Sequence, residues 1–134
     1  MPDDIKERGP TPSIDALRVL IVEDEAIIAL DLAFQVEDVG YVVVGKAVDF
    51  ASCKKLAEQE KPDFALMDMR LKGGDSGAEV ATWLREIMDV PCIFISGNLD
   101  EETRNMLSVL NPIAFVGKPI TPAALRSALL KVFR

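Results

Sequence analysis

Five short apolar runs, RVLIV (18–22), YVVVGKA (41–47), FALMD (64–68), CIFIS (92–96) and IAFVG (113–117), alternate with segments of helical spacing. This alternation limits the fold more than any other feature of the chain. The length of the runs and their Val, Ile and Phe content suit strands buried on both faces. The first helical segment carries Ile27, Leu30 and Phe34 and stops near Gly40, a residue type suited to the position just past a helix. The second follows Asp49 as N-cap and ends before Lys61-Pro62. In the third, Ser76 and Glu79 have the spacing of a capping box, and Val80, Trp83, Leu84 and Ile87 share one face. The fourth begins at Asp100 with Glu101 and Glu102 in its first turn, and the fifth has Thr121 as cap and Pro122 at the first helical position. Strict strand-helix alternation with short connections predicts an α/β fold, a parallel sheet with right-handed crossovers and helices on both faces.

Residues 1–15 hold Pro2, Gly9, Pro10 and Pro12 among charges and read as a flexible N-terminal arm. Residues 16–134 then form one domain, since 134 residues with 49% hydrophobic content support a single core and leave no room for a second module. A net charge of −7 argues against nucleic acid, which selects a concentrated basic face. No apolar run approaches the roughly 20 residues that span a bilayer, and the N-terminal stretch lacks the apolar centre of a signal peptide. A cytoplasmic protein with no membrane partner is expected. Cys53 and Cys92 read as small apolar fillers, because the chain has no histidine to complete a zinc site. The same absence removes Ser-His-Asp and Cys-His catalysis. Chemistry is left to carboxylates, hydroxyls and lysine.

In open parallel sheets, ligands sit at the carboxyl ends of the strands. The first run leads into Glu23-Asp24-Glu25, the third ends on Asp68, the fourth on Ser96-Gly97, and the fifth shortly before Lys118-Pro119. The second ends in Gly45-Lys46-Ala47, which reads as lining. Carboxylates brought within about 4 Å repel by roughly 4 kcal/mol per pair at an effective dielectric of 20, so the acidic cluster calls for a cation. Oxygen ligands without histidine or thiolate favour a hard ion such as Mg²⁺. A carboxylate beside Mg²⁺ and a lysine is a suitable place to attach a phosphoryl group, with the Ser96 hydroxyl able to donate to one of its oxygens.

With VLIVEDE after the first strand, LMDMRL around Asp68, FISGN around Ser96 and FVGKPI around Lys118, the chain resembles the response-regulator receiver domain of two-component signalling over roughly residues 17–134. The resemblance implies a flavodoxin-like (βα)5 topology with strand order 2-1-3-4-5. It implies that Asp68 accepts a phosphoryl group from a histidine kinase or a histidine phosphotransfer protein. Asp24 would bind Mg²⁺ directly, Glu23 mostly through water, and Asp68 and the backbone carbonyl of Arg70 would complete the protein ligands. Lys118 would pair with one phosphoryl oxygen and Ser96 with another. Phe115 matches the switch aromatic that follows Ser96 inward and changes the surface of the fourth helix, fifth strand and fifth helix. That surface would meet an unidentified downstream protein or a second copy of the chain. The Lys118–Pro119 bond is expected to be cis. Beyond its own phosphorylation and dephosphorylation, no enzymatic activity is implied. The chain departs from the family pattern in the loop GGDSG, one residue longer than the common form, with Lys72 where proline is usual, and Phe115 stands where tyrosine is frequent. Arg70 and Asn98 occupy the flanking positions at which related domains vary their phosphoryl lifetime.

Each residue alone has a plainer reading. The acidic triplet could be helix-dipole partners, Asp68 an N-cap-like loop residue, Ser96 a turn hydroxyl and Lys118 a solvated lysine; Trp83 reads as core. Their coincidence at one rim favours the site. Because the sequence ends just past the fifth helix, a stand-alone regulator is expected, acting through a partner, as a relay intermediate or as a phosphate sink. An aspartate-nucleophile phosphohydrolase of the haloacid-dehalogenase type is a second reading, but it needs an aspartate where Arg70 stands. A flavodoxin-like nucleotide binder would need a Gly-rich loop where Glu23-Asp24 stand. A degenerate scaffold is disfavoured because every expected site residue is present.

Overall fold

The computed structural model describes residues 16–132; the arm expected over residues 1–15 lies outside them. The elements are β1 (Arg18–Val22), α1 (Ala26–Asp38), β2 (Val42–Ala47), α2 (Phe50–Glu60), β3 (Phe64–Asp68), α3 (Gly77–Met88), β4 (Cys92–Ser96), α4 (Glu101–Ser108), β5 (Ala114–Gly117) and α5 (Pro122–Leu129). All strand pairs are parallel and the sheet order is β2-β1-β3-β4-β5, as expected.

The period-2 alternation of the three central strands divides the core into two layers. Val19, Ile21, Phe64, Leu66, Ile93 and Ile95 face α1 and α5, while Leu20, Val22, Ala65, Met67, Cys92 and Phe94 face α2, α3 and α4. Both cysteines are buried and free, and they occupy the second layer as fillers. β3 and β4 are buried along their whole length, as apolar runs predict for central strands. The outer strands differ from that expectation: β2 is mostly half-buried and β5 alternates, because each is paired on one side only.

The caps follow the sequence with one exchange. Asp49 accepts from the backbone N–H of Ser52, whose hydroxyl completes a reciprocal capping box, and Asp100 and Thr121 cap α4 and α5. Ser76 also caps α3, but it accepts from Ala78 rather than from Glu79, so the box expected there is not formed. Gly40, with φ of 93°, follows α1 where a left-handed residue is needed.

Two apolar faces require correction. Ile27, Leu30 and Phe34 lie on the solvent side of α1, while the sheet is met by Ala29, Leu32, Ala33 and Val36. Both sets have helical spacing, but the second contains two alanines, which let α1 approach the sheet more closely than three large side chains would. In α3, Val80 and Leu84 are buried and Trp83 packs edge-on against Phe50, whereas Ile87 is exposed.

Candidate functional site

Strand register gathers the polar residues. Val22 pairs with Met67, so Glu23 emerges beside Asp68. Asp68 pairs with Ile95, which places Ser96 at the same rim. Ser96 pairs with Gly117, and the Lys118 N–H donates to the Ser96 carbonyl at 2.9 Å, so Lys118 follows directly. Parallel strands ending level therefore convert residues far apart in sequence into neighbours.

Asp68 is 2% exposed. Its Oδ1 accepts from Lys118 Nζ at 2.9 Å and from the Arg70 backbone N–H at 3.1 Å. The Lys118–Pro119 bond is cis, in agreement with expectation. Glu23 is also buried; its Oε2 accepts from the Glu25 N–H at 3.0 Å, while its Oε1 has no hydrogen-bond partner. Carboxylate oxygens of Glu23, Asp24 and Glu25 lie within 4.8 Å of one another. Asp24, Glu25, Asp68, Arg70 and Lys118 line one cleft, and Asp68, Arg70, Ser96, Asn98 and Lys118 line an adjoining cavity of about 320 Å³.

This arrangement fits a hard cation. A buried carboxylate oxygen without a donor, next to further carboxylates, carries an unmet need for positive charge. Burial pushes the Glu23 carboxyl up to about 7 from an ordinary 4.5; the Glu25 N–H opposes the rise and the Asp68 charge adds to it. A raised carboxyl favours the folded state while protonated. In EDTA, the Glu23 contribution to stability is therefore expected to be complete below pH 4.5 and to be lost as pH rises through about 7. Denaturant unfolding of the wild type and of Glu23→Gln across that window checks this: the substitution should flatten the slope, and parallel profiles would contradict it.

The loop after Asp68 turns at 72–74, where Gly73 and Gly74 take φ of 78° and 91°, values that favour glycine. Arg70 and Ser76 close it as an isolated antiparallel bridge. Asp75 ties it to α2 by accepting from the Phe50 N–H at 2.8 Å. The Ser96 hydroxyl does not hydrogen-bond to Asp68; it accepts from the Asn98 N–H at 3.0 Å and donates to the Asn98 carbonyl at 3.1 Å. Phe115 is half-buried and stacks on Phe94 with ring centroids 5.9 Å apart.

Of the site residues expected from the sequence, Glu23, Asp24, Asp68, Arg70, Ser96 and Lys118 reach this rim, and Phe115 sits behind it against Phe94. Sequence reasoning left Glu25 without a role, although its carboxylate belongs to the acidic triad. It also passed over Gly77: a Cβ there would lie 2.3 Å from the Asp68 carbonyl oxygen. Neither has a local signal beyond the acidic triplet and a glycine inside a capping motif.

A family model described as the response regulator receiver domain matches residues 19–130. The chain is 35% identical over 127 residues to the transcriptional regulatory protein PdtaR of Mycobacterium tuberculosis, an alignment covering 90% of this chain and 60% of that protein. It is 33% identical over 123 residues to the phyllosphere-induced regulator PhyR of Methylorubrum extorquens, covering 90% and 45% respectively. The chain thus spans about half the length of these curated relatives. Among solved structures, the signal receiver domain of a modulated diguanylate cyclase from Desulfovibrio desulfuricans superposes with a TM-score of 0.75 at 34% identity, over 87% of this chain and 92% of that one.

Proposed function

The chain belongs to the response-regulator receiver family, and from that premise we propose that it is a phosphorylation switch whose phosphoryl group is carried on Asp68. The observation that carries this reading is the convergence of buried Asp68 with the Lys118 ammonium, at 2.9 Å, above an acidic triad with an unpartnered carboxylate oxygen.

An oxygen of Asp68 attacks the phosphorus of a phosphohistidine on a histidine kinase or phosphotransfer protein. The P–N bond breaks and the imidazole nitrogen leaves with its electron pair. Asp24, Glu23, Asp68 and the Arg70 backbone carbonyl would hold Mg²⁺, which, when bound, supplies positive charge against the phosphoryl oxygens. Lys118 pairs with Asp68 before transfer and with a phosphoryl oxygen after it, so its charge is useful throughout. Ser96 exchanges its bonds to Asn98 for one to the phosphoryl group. Phe115 follows inward, and the surface formed by α4, β5 and α5 changes for a downstream protein. Relay to another histidine protein and storage of phosphate use the same chemistry.

Among the described residues no helix is long and apolar enough to cross a membrane. The proposed exchange takes place between proteins in the cytoplasm.

Incubation with acetyl phosphate and Mg²⁺ is expected to add one acid-labile phosphoryl group, seen by intact mass, and EDTA is expected to prevent it. Asp24→Asn should weaken Mg²⁺ binding roughly tenfold or more, measured by calorimetric titration. No labelling of the wild type would remove the proposed role, and unchanged Mg²⁺ affinity would make the triad a surface feature.

A further inference from the structure

Arg104, on the exposed side of α4, makes two contacts that join the loop after β4 to the switch aromatic. Its Nε donates to the Leu99 carbonyl at 3.0 Å, and its guanidinium carbon stands 5.0 Å from the centroid of the Phe115 ring. The same ring is stacked on fully buried Phe94. Phe115 therefore contacts both the core and a cation.

The same loop begins at Ser96, whose hydroxyl both accepts from and donates to Asn98, one residue before Leu99. On its far side the loop is fixed to α4 by Asp100, which accepts from the Thr103 N–H at 2.8 Å. A continuous series of contacts thus runs from Ser96 through Asn98 and Leu99 to Arg104 and Phe115. Among the described residues Arg104 makes no ion pair, so an acidic side chain does not account for its position.

We propose that Arg104 is a positioning residue that clasps the resting form, joining the Leu99 carbonyl to the Phe115 ring so that Phe115 is released only when the loop carrying Ser96 moves. The inference rests on the reading of Asp68 as phosphoacceptor. A hydroxyl serving a phosphoryl oxygen cannot keep both of its Asn98 bonds. The loop then loses its closure, the Leu99 carbonyl shifts, and the guanidinium loses the anchor that holds it over the ring. A contact made only in one of two states favours that state, and its removal favours the other. The clasp also supplies a polar tether that Phe115, lacking a hydroxyl, cannot provide for itself.

The test is a beryllofluoride titration in Mg²⁺, followed by the amide NMR signals of Leu99 and Gly117, on the full chain. Arg104→Ala is expected to saturate at a concentration roughly tenfold or more lower than the wild type, as expected from losing one charge-assisted hydrogen bond and an exposed cation-π contact. Arg104→Lys, which keeps charge without the fixed planar donor, should fall between them. In a Phe115→Leu background the effect of Arg104→Ala should shrink, because the clasp has lost its ring. Equal midpoints for wild type and Arg104→Ala would overturn the proposal, as would an equal effect of Arg104→Ala in both backgrounds. Failure of the wild type to saturate at all is a different result, and it would overturn the phosphoacceptor reading itself.

Discussion

A chain carrying Asp68→Asn is expected to fold and to acquire no phosphoryl group from acetyl phosphate under conditions that label the wild type to completion. The carboxamide retains an oxygen that can accept from Lys118 and from the Arg70 N–H, the two donors now on Oδ1. It offers no anionic oxygen to attack phosphorus, so loss of labelling is expected to be complete rather than partial. The substitution also removes a negative charge beside buried Glu23, relieving one cause of that carboxyl's high pKa. Stability at neutral pH should therefore hold better than for the usual loss of a buried ion-pair partner. Intact mass and denaturant unfolding read the two outcomes separately. Labelling equal to that of the wild type would remove Asp68 from its role.

Gly77→Ala should both destabilise the chain and slow its phosphorylation. Gly77 is the first residue of α3, and helix propensity alone would make alanine there better by up to about 1 kcal/mol. Packing opposes this. The new Cβ would stand 2.3 Å from the Asp68 carbonyl oxygen and 2.7 Å from the Met69 Cα, both of them backbone atoms that cannot rotate away. Gly77 is moreover bound to this segment, its N–H donating to the Met69 carbonyl at 3.3 Å. Forcing atoms into a filled site typically costs about 1–3 kcal/mol, so the clash is expected to outweigh propensity. Relief requires moving α3 or the backbone that presents Asp68, hence the coupled effect on phosphorylation. Urea unfolding and the initial labelling rate check both parts, and a variant as stable and as reactive as the wild type would contradict the close approach.

Much of this was legible before any coordinates. The apolar runs end where the functional groups begin, and parallel pairing brings strand ends to one rim, so Glu23, Asp24, Asp68, Ser96 and Lys118 could be grouped from their positions alone. The choice of buried face on α1 could not. Ile27, Leu30 and Phe34 offer more hydrophobic area than Ala29, Leu32, Ala33 and Val36, and composition favours the wrong set. What decides is how close the helix must come to the sheet, which depends on both surfaces at once. Edge strands were over-assigned burial although the implied sheet order placed them at the edges, because the apolar content of a run does not distinguish a strand paired on one side from one paired on both. Gly77 and Arg104 stayed hidden because their roles rest on packing against Asp68 and Phe115 in neighbouring elements, which no local pattern reveals.

The central claim is that one identified side chain carries the phosphoryl group, and peptide mapping after chemical trapping tests it most directly. Protein labelled with acetyl phosphate in Mg²⁺ is reduced with borohydride, which converts an aspartyl phosphate to homoserine, and is then digested and sequenced by mass spectrometry. The account predicts homoserine at position 68 and at no other aspartate. Homoserine at Asp24, or a stable label on Ser96 with Asp68 intact, would contradict it.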